Sequence, residues 1–148
     1  MTSTEIISEI TTQLDGFFDE YGWQFEKSEE QLFRTGFVGE TGQYDIWIRL
    51  TEHWVYFIIH PFVKPVTDPM AKAEVCRVLL EANFAINMAK FAMDETGEVS
   101  LSVELPVSGF RYSHFSDALT AISHYADDHR AEFETACDQT GASWQEVA

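Results

Sequence analysis

His124, Asp128 and His129 are the residues of this chain whose types and spacing come nearest to a metal centre. His124 and Asp128 stand four apart, so on a helix an imidazole and a carboxylate share one face and could offer nitrogen and oxygen to a divalent ion. His129 leaves that face, and a stable site wants three or four ligands, so the pair reads as ordinary surface. His60, beside Pro61, reads as a strand-end side chain rather than a general base. Asp94, Glu95 and Glu98 gather carboxylates around Thr96 and Gly97, but without the twelve-residue spacing of a calcium loop they read as a hairpin turn. Cys76 has Lys72 and Arg77 near it, which could lower a thiol pKa, yet no histidine is paired with it to make a nucleophile. His53 and His114 are isolated. No catalytic, cofactor-binding or metal-ligating set is expected, and the chain reads as a non-enzyme.

The chain has 148 residues and a formal net charge of −16. That length suits one domain, here bounded at residues 1–141, with residues 142–148 as a tail that carries Trp144. Placement of the charge matters more than its size. Residues 1–30 hold eight acids against Lys27 and residues 113–148 hold seven against Arg130, so the two ends carry −13 of the −16. Residues 63–91 are slightly basic, with Lys64, Lys72, Arg77 and Lys90 against Asp68, Glu74 and Glu81. Such a field repels phosphate, which excludes nucleic acid as a partner and leaves solubility or a basic protein partner as its use. The longest apolar run, residues 54–63, is interrupted by His60 and Pro61 and is far short of the roughly 20 residues that span a bilayer. The first residues lack the basic and apolar regions of a signal peptide, so no membrane insertion and no export by that route are expected. Cys76 and Cys137 are widely separated on predicted helices, which points to buried thiols in a reducing compartment.

The elements that must position these residues follow from periodicity. Ile6, Ile10, Leu14, Phe17 and Tyr21, widened by Ile7 and Phe18, make the buried stripe of a first helix, opened by a Thr2/Glu5 capping box and stopped at Gly22. Residues 23–26 read as a short edge strand and residues 31–38 as a strand broken at Gly36. Tyr44, Ile46, Ile48 and Leu50 alternate with Asp45 and Arg49, and Trp54–Ile59 is apolar on both faces, as a central strand should be. Asp68-Pro69 starts a second helix, whose apolar spacing Ala71, Val75, Val78, Leu79, Ala82, Ile86, Ala89 runs through to Lys90. Leu80, Phe84 and Met88 form a second stripe at steps of four. A helix apolar on two sides needs two partners, and the sheet supplies only one, so a terminal helix or a second subunit must supply the other. Asn83 and Asn87 lie one turn apart on this helix and, if buried, must be paired across an interface or to a neighbouring strand. A hairpin follows, with Val99, Leu101, Val103 and Leu105 alternating against Ser100, Ser102 and Glu104. The last helix starts near Ser113, carries Phe115, Leu119, Ile122, Ala126, His129 and Phe133 along one stripe, and stops at Gly141.

The Leu79-Leu80-x-x-Asn83 helix, Lys90-Phe91 entering a strand, the Asp94-x-x-Gly97 turn and the close on Leu105-Pro106 resemble the YbjN family. That family is similar in fold to the class I chaperones of type III secretion, which are small, acidic, dimeric proteins that bind effector polypeptides. The resemblance implies a bacterial cytoplasmic protein, a homodimer, and a regulatory or chaperone-like role without chemistry. The expectation is therefore an α+β fold of order α-β-β-β-(β)-α-β-β-α, with an antiparallel sheet of about five strands and helices mainly on one face. Its expected function is non-catalytic binding of another polypeptide, by exposed sheet edges or apolar grooves between acidic helices, and without a cofactor. Leu80, Phe84, Asn87 and Met88 are the expected dimer or partner interface. Two alternatives are a small-molecule sensor in which Trp47, Trp54, Tyr56 and Phe57 line a cavity, and a small metal enzyme using His124 and Asp128.

Overall fold

A computed structural model describes residues 2–139. Helix α1 (Ser3–Tyr21) is followed by β1 (Glu26–Glu29), β2 (Leu32–Val38), β3 (Gln43–Leu50) and β4 (Trp54–Ile59). Helix α2 (Pro69–Ala85), the hairpin β5 (Ala89–Met93) and β6 (Val99–Pro106), and helix α3 (Tyr112–Cys137) complete it. The six strands form one antiparallel sheet in the order β1-β2-β3-β4-β6-β5.

Period-two alternation decides which face of this sheet is covered. Phe33, Ile46, Ile48, Leu50, Val55, Phe57, Phe91, Leu101 and Val103 are buried with Leu14 and Phe18 of α1, Val75 of α2, and Phe115, Leu119 and Phe133 of α3. Phe115 is the hub between layers, with ring centroids 5.0 Å from Phe18, 5.7 Å from Phe17 and 6.0 Å from Phe57. A second aromatic cluster joins Phe62, Phe91 and Phe133 at 4.7–5.4 Å. Among the described residues the opposite face carries no helix. On it Arg34 lies over Trp47 and Arg49 over Tyr56, at 5.6 and 5.2 Å from the ring centroids. These guanidinium planes screen part of the aromatic surface, which is how β4 can be apolar on both faces beneath one helical layer.

The caps of α1 are as the sequence predicts: Thr2 accepts from the Glu5 N–H, Glu5 accepts from the Thr2 N–H, and Gly22 closes the helix at φ 85°. The structure differs from the sequence reading at the start of β1, at Gly36 and at the ends of α2 and α3. The ladder of β1 begins at Glu26, not at residue 23, because the Thr35 hydroxyl takes the Gln24 carbonyl while Phe25 stacks on Phe18 at 4.4 Å. Gly36 does not break β2: it faces Asp45 in register, and a Cβ there would sit 2.5 Å from the Tyr44 carbonyl oxygen, so glycine permits the close approach of β3. Helix α2 stops at Ala85 rather than Lys90. Helix α3 begins at Tyr112 and ends at Cys137; Gly141, predicted to stop it, and Trp144 lie outside the described residues.

Asp127 of α3 fastens the β2–β3 turn. Its carboxylate accepts from the Glu40 and Thr41 N–H groups at 3.0 and 2.7 Å and from the Thr41 hydroxyl at 2.5 Å. A Cβ on Gly39 would lie 2.6 Å from Asp127 Oδ1, which explains the glycine. Donation from the Thr41 hydroxyl first, then from the two amides, holds the Asp127 pKa below the ordinary 3.8. A carboxyl depressed in the folded state stabilises above its unfolded value and ceases to do so as pH falls through the folded one. Asp127→Ala should therefore lower the urea midpoint near neutral pH, and the difference from wild type should shrink below pH 3.8. A difference independent of pH would show that the carboxylate charge is not what holds the turn.

Candidate functional site

The end of α2 organises the surface beside it. Asp68 caps the helix by accepting from the Met70 and Ala71 N–H groups, Pro69 takes the first turn, and Ala71, Val75, Val78, Leu79 and Ala82 face inward. Ile86 and Ala89 keep helical spacing, yet a stronger interaction ends the helix before them. The Asn83 side chain donates to the Phe91 carbonyl at 2.9 Å and accepts from the Phe91 N–H at 2.7 Å. This reciprocal pair draws β5 against the helix and forces the chain around at residues 86–88. Asn83 is thus paired to a neighbouring strand, one of the two roles its burial allows. The turn is fixed by the Asn87 N–H donating to the Tyr125 hydroxyl, and Met88 adopts φ 70°.

Helix α2 and this turn present Leu80, Phe84 and Met88 outward, at 69, 94 and 46 % exposed, with Asn87 exposed beside them. Helix α3 packs on the other side of α2 and leaves the Leu80 and Phe84 stripe uncovered among the described residues. Along the same helix Arg77 bridges Glu74 and, at 2.7 Å, Glu81, so its guanidinium stays charged and neutralised. Among the described residues Val38 and Trp54 are the other large apolar side chains well exposed, and they stand elsewhere, on β2 and at the start of β4.

Asn83 also bears on how the sheet can be used. Phe91 directs its N–H and C=O away from β6, so at the centre of the β5 edge the groups that could pair with an added strand are already taken. The opposite edge, β1, is exposed along its length and carries Glu26, Lys27 and Glu29, with a register shift between Lys27 and Glu29.

The remaining sites named from sequence fall apart or change partners. Phe57 is buried on the helical face while Trp47, Trp54 and Tyr56 stand on the open one, so the four line no common cavity. Among the described residues His124 gains no third ligand; His129 packs on the Phe91 ring at 5.6 Å, with Asp128 and Glu132 3.7 and 3.8 Å away. Cys76 lies 3.9 Å from the Met93 sulfur, and Cys137 has its thiol pKa pushed up by burial; both are free and half-buried. One convergence was invisible in the sequence: His60, Asp94 and Glu98 meet where β4 ends beside the β5–β6 turn. No local pattern signals it, because the meeting depends on the register of β4 against β6.

The family model described as "Putative bacterial sensory transduction regulator", YbjN, matches residues 11–135. The chain belongs to the YbjN family. Crystallised YbjN of E. coli is similar to it at TM-score 0.56 and 19% identity, covering 80% of this chain and 89% of that one. A chain of the HopA1–SchA chaperone–effector complex is similar at TM-score 0.62 and 10% identity, covering 88% and 99%. A chain of the heterodimeric ExoU–SpcU complex from the type III secretion system of Pseudomonas aeruginosa is similar at TM-score 0.55 and 15% identity, covering 84% and 97%. The α+β fold, with three helices and an antiparallel sheet, is the fold shared with these chains of the two complexes and with the YbjN family member. A comparison with curated proteins gives no match. Among the described residues no helix is long and apolar enough to cross a membrane.

Proposed function

We propose that this YbjN-family chain is a non-catalytic protein-binding module, chaperone-like or regulatory. It works in the bacterial cytoplasm as an acidic homodimer whose unit is residues 1–141, and it holds other polypeptides. The observation that carries this reading is the row Leu80, Phe84 and Met88, three large apolar side chains in water on a chain of net charge −16. Exposed apolar surface of this kind marks a contact with another protein. Met88 adds to the argument. A positive φ costs a non-glycine residue on the order of 1 kcal/mol, and glycine would hold that backbone at less cost, so the side chain serves something other than the turn.

Charge supports this face as the one that pairs with a second copy. Two chains of −16 repel, and they approach with least repulsion where each is locally neutral. Residues 63–91 are slightly basic, and Arg77 is offset by Glu74 and Glu81. The acidic ends are then left for a client. Between α1 and the β6–α3 connection runs a cleft of about 500 Å³ lined by Ile6, Ile10, Val107 and Phe110 together with polar Glu9, Gln13, Glu52 and His53, which suits a segment with apolar and basic residues. Chaperone–partner complexes among the structural neighbours support the same class of role.

Binding of a captured client across a salt series tests the division of labour. Association should slow as salt passes about 0.15 M, where screening acts over roughly 8 Å, while residual affinity persists through the apolar contact. Complete loss at moderate salt would mean a purely electrostatic patch and would remove the cleft from the account.

A further inference from the structure

We propose that His60, Asp94 and Glu98 form a binding site for a divalent transition metal, zinc or a close relative. The site is separate from the protein-binding face and nothing in the family's description assigns it. His60 Nε2 lies 3.5 Å from Asp94 Oδ2 and 3.2 Å from Glu98 Oε2, and the three atoms all fall within 4.8 Å of one another. Ligands about 2.1 Å from a tetrahedral ion stand about 3.4 Å apart, so the two histidine–carboxylate edges already have the spacing a zinc ion requires. One imidazole nitrogen and two carboxylate oxygens are a donor set suited to zinc, and three protein ligands leave a fourth position for water.

Asp94 is held by the fold rather than by a chance surface rotamer, and His60 and Glu98 sit on backbone tied to the same hairpin. Asp94 Oδ1 accepts from the Thr96 N–H, the Thr96 hydroxyl and the Glu98 N–H at 2.9, 2.6 and 3.0 Å. That turn fixes the carboxylate and leaves Oδ2 aimed at His60. The hairpin is in turn tied to the segment after His60: the Phe62 N–H donates to the Val99 carbonyl at 2.7 Å and the Val66 N–H to the Gly97 carbonyl at 3.0 Å. Gly97, at φ 86°, permits that contact, since a Cβ would collide with the Val66 carbonyl. Two carboxylates converging on one point repel unless a cation sits between them, either the protonated His60 ring or a metal ion. A metal ion fills that role by accepting the Nε2 lone pair.

The test is calorimetric titration of the chelator-stripped full chain with zinc chloride alone. The expected result is one zinc per chain. His60→Ala, Asp94→Asn and Glu98→Gln should each weaken it by at least about tenfold, the loss that even an outer hydrogen-bond partner of a ligand produces. Asp94→Asn retains Oδ1 and so retains the turn, which separates loss of a ligand from loss of the fold; circular dichroism of each variant checks this. His124→Ala should leave the titration unchanged. No zinc binding by the folded wild type, or binding that survives all three ligand variants, would overturn the proposal.

Discussion

Replacing Leu80 and Phe84 together, as Leu80→Glu with Phe84→Glu, should halve the mass seen in sedimentation, from twice 16.9 kDa to 16.9 kDa, without changing the circular dichroism spectrum. The magnitude follows from surface alone. Burying a leucine or phenylalanine side chain is worth roughly 1.5–3 kcal/mol, and a twofold contact buries each residue twice, giving about 6–12 kcal/mol before the cost of association. A micromolar dimer rests on about 8 kcal/mol net of an association cost of roughly 4–15 kcal/mol, so these four side chains supply a large share of the contact energy and their loss removes the dimer. Neither residue touches the core, so the monomeric variant should keep its fold. A wild-type chain that is itself monomeric and monodisperse at micromolar concentration would remove the homodimer from the proposal.

Phe115→Ala should behave in the opposite way. This ring is fully buried and meets Phe17, Phe18 and Tyr21 of α1, Phe57 of β4 and Tyr112 of its own helix. Truncating a buried phenylalanine costs about 3–5 kcal/mol, a large share of the roughly 5–15 kcal/mol that stabilises a domain. The urea midpoint should fall steeply. Phe84→Ala, by contrast, should change monomer stability by less than about 0.5 kcal/mol. Same residue type, same substitution and opposite readouts are the signature of one side chain built for the core and one built for a partner. Equal destabilisation by both would mean that Phe84 packs within the chain after all.

The contrast between Phe115 and Phe84 also marks how far the sequence could be read. Stripes at steps of three and four located α1, α2 and α3, and strict alternation located β3 and β6, because one-sided burial writes its period directly into the residues. Two stripes on α2 exposed the unpartnered face for the same reason. The C-terminal end of α2 was not legible, since Ile86 and Ala89 continue the helical spacing and the interaction that ends the helix, Asn83 to the backbone of Phe91, joins residues eight apart through a side chain. The limit of β1 was hidden likewise in the Thr35 hydroxyl. Separating Phe57 from Trp47, Trp54 and Tyr56 required knowing which sheet face lacks helices. The meeting of His60 with Asp94 and Glu98 depends on strand order, which no local pattern encodes.

The claim on which the account turns is that the Leu80–Phe84 face meets another polypeptide. Photo-crosslinking tests it most directly, with benzoylphenylalanine in place of Phe84 in living bacterial cells and in place of Glu95, an exposed residue of the β5–β6 turn, as the control. Strong adducts are expected from position 84, to a second copy of the chain or to a client, and few from position 95. Crosslinking no stronger at 84 than at 95 would contradict it.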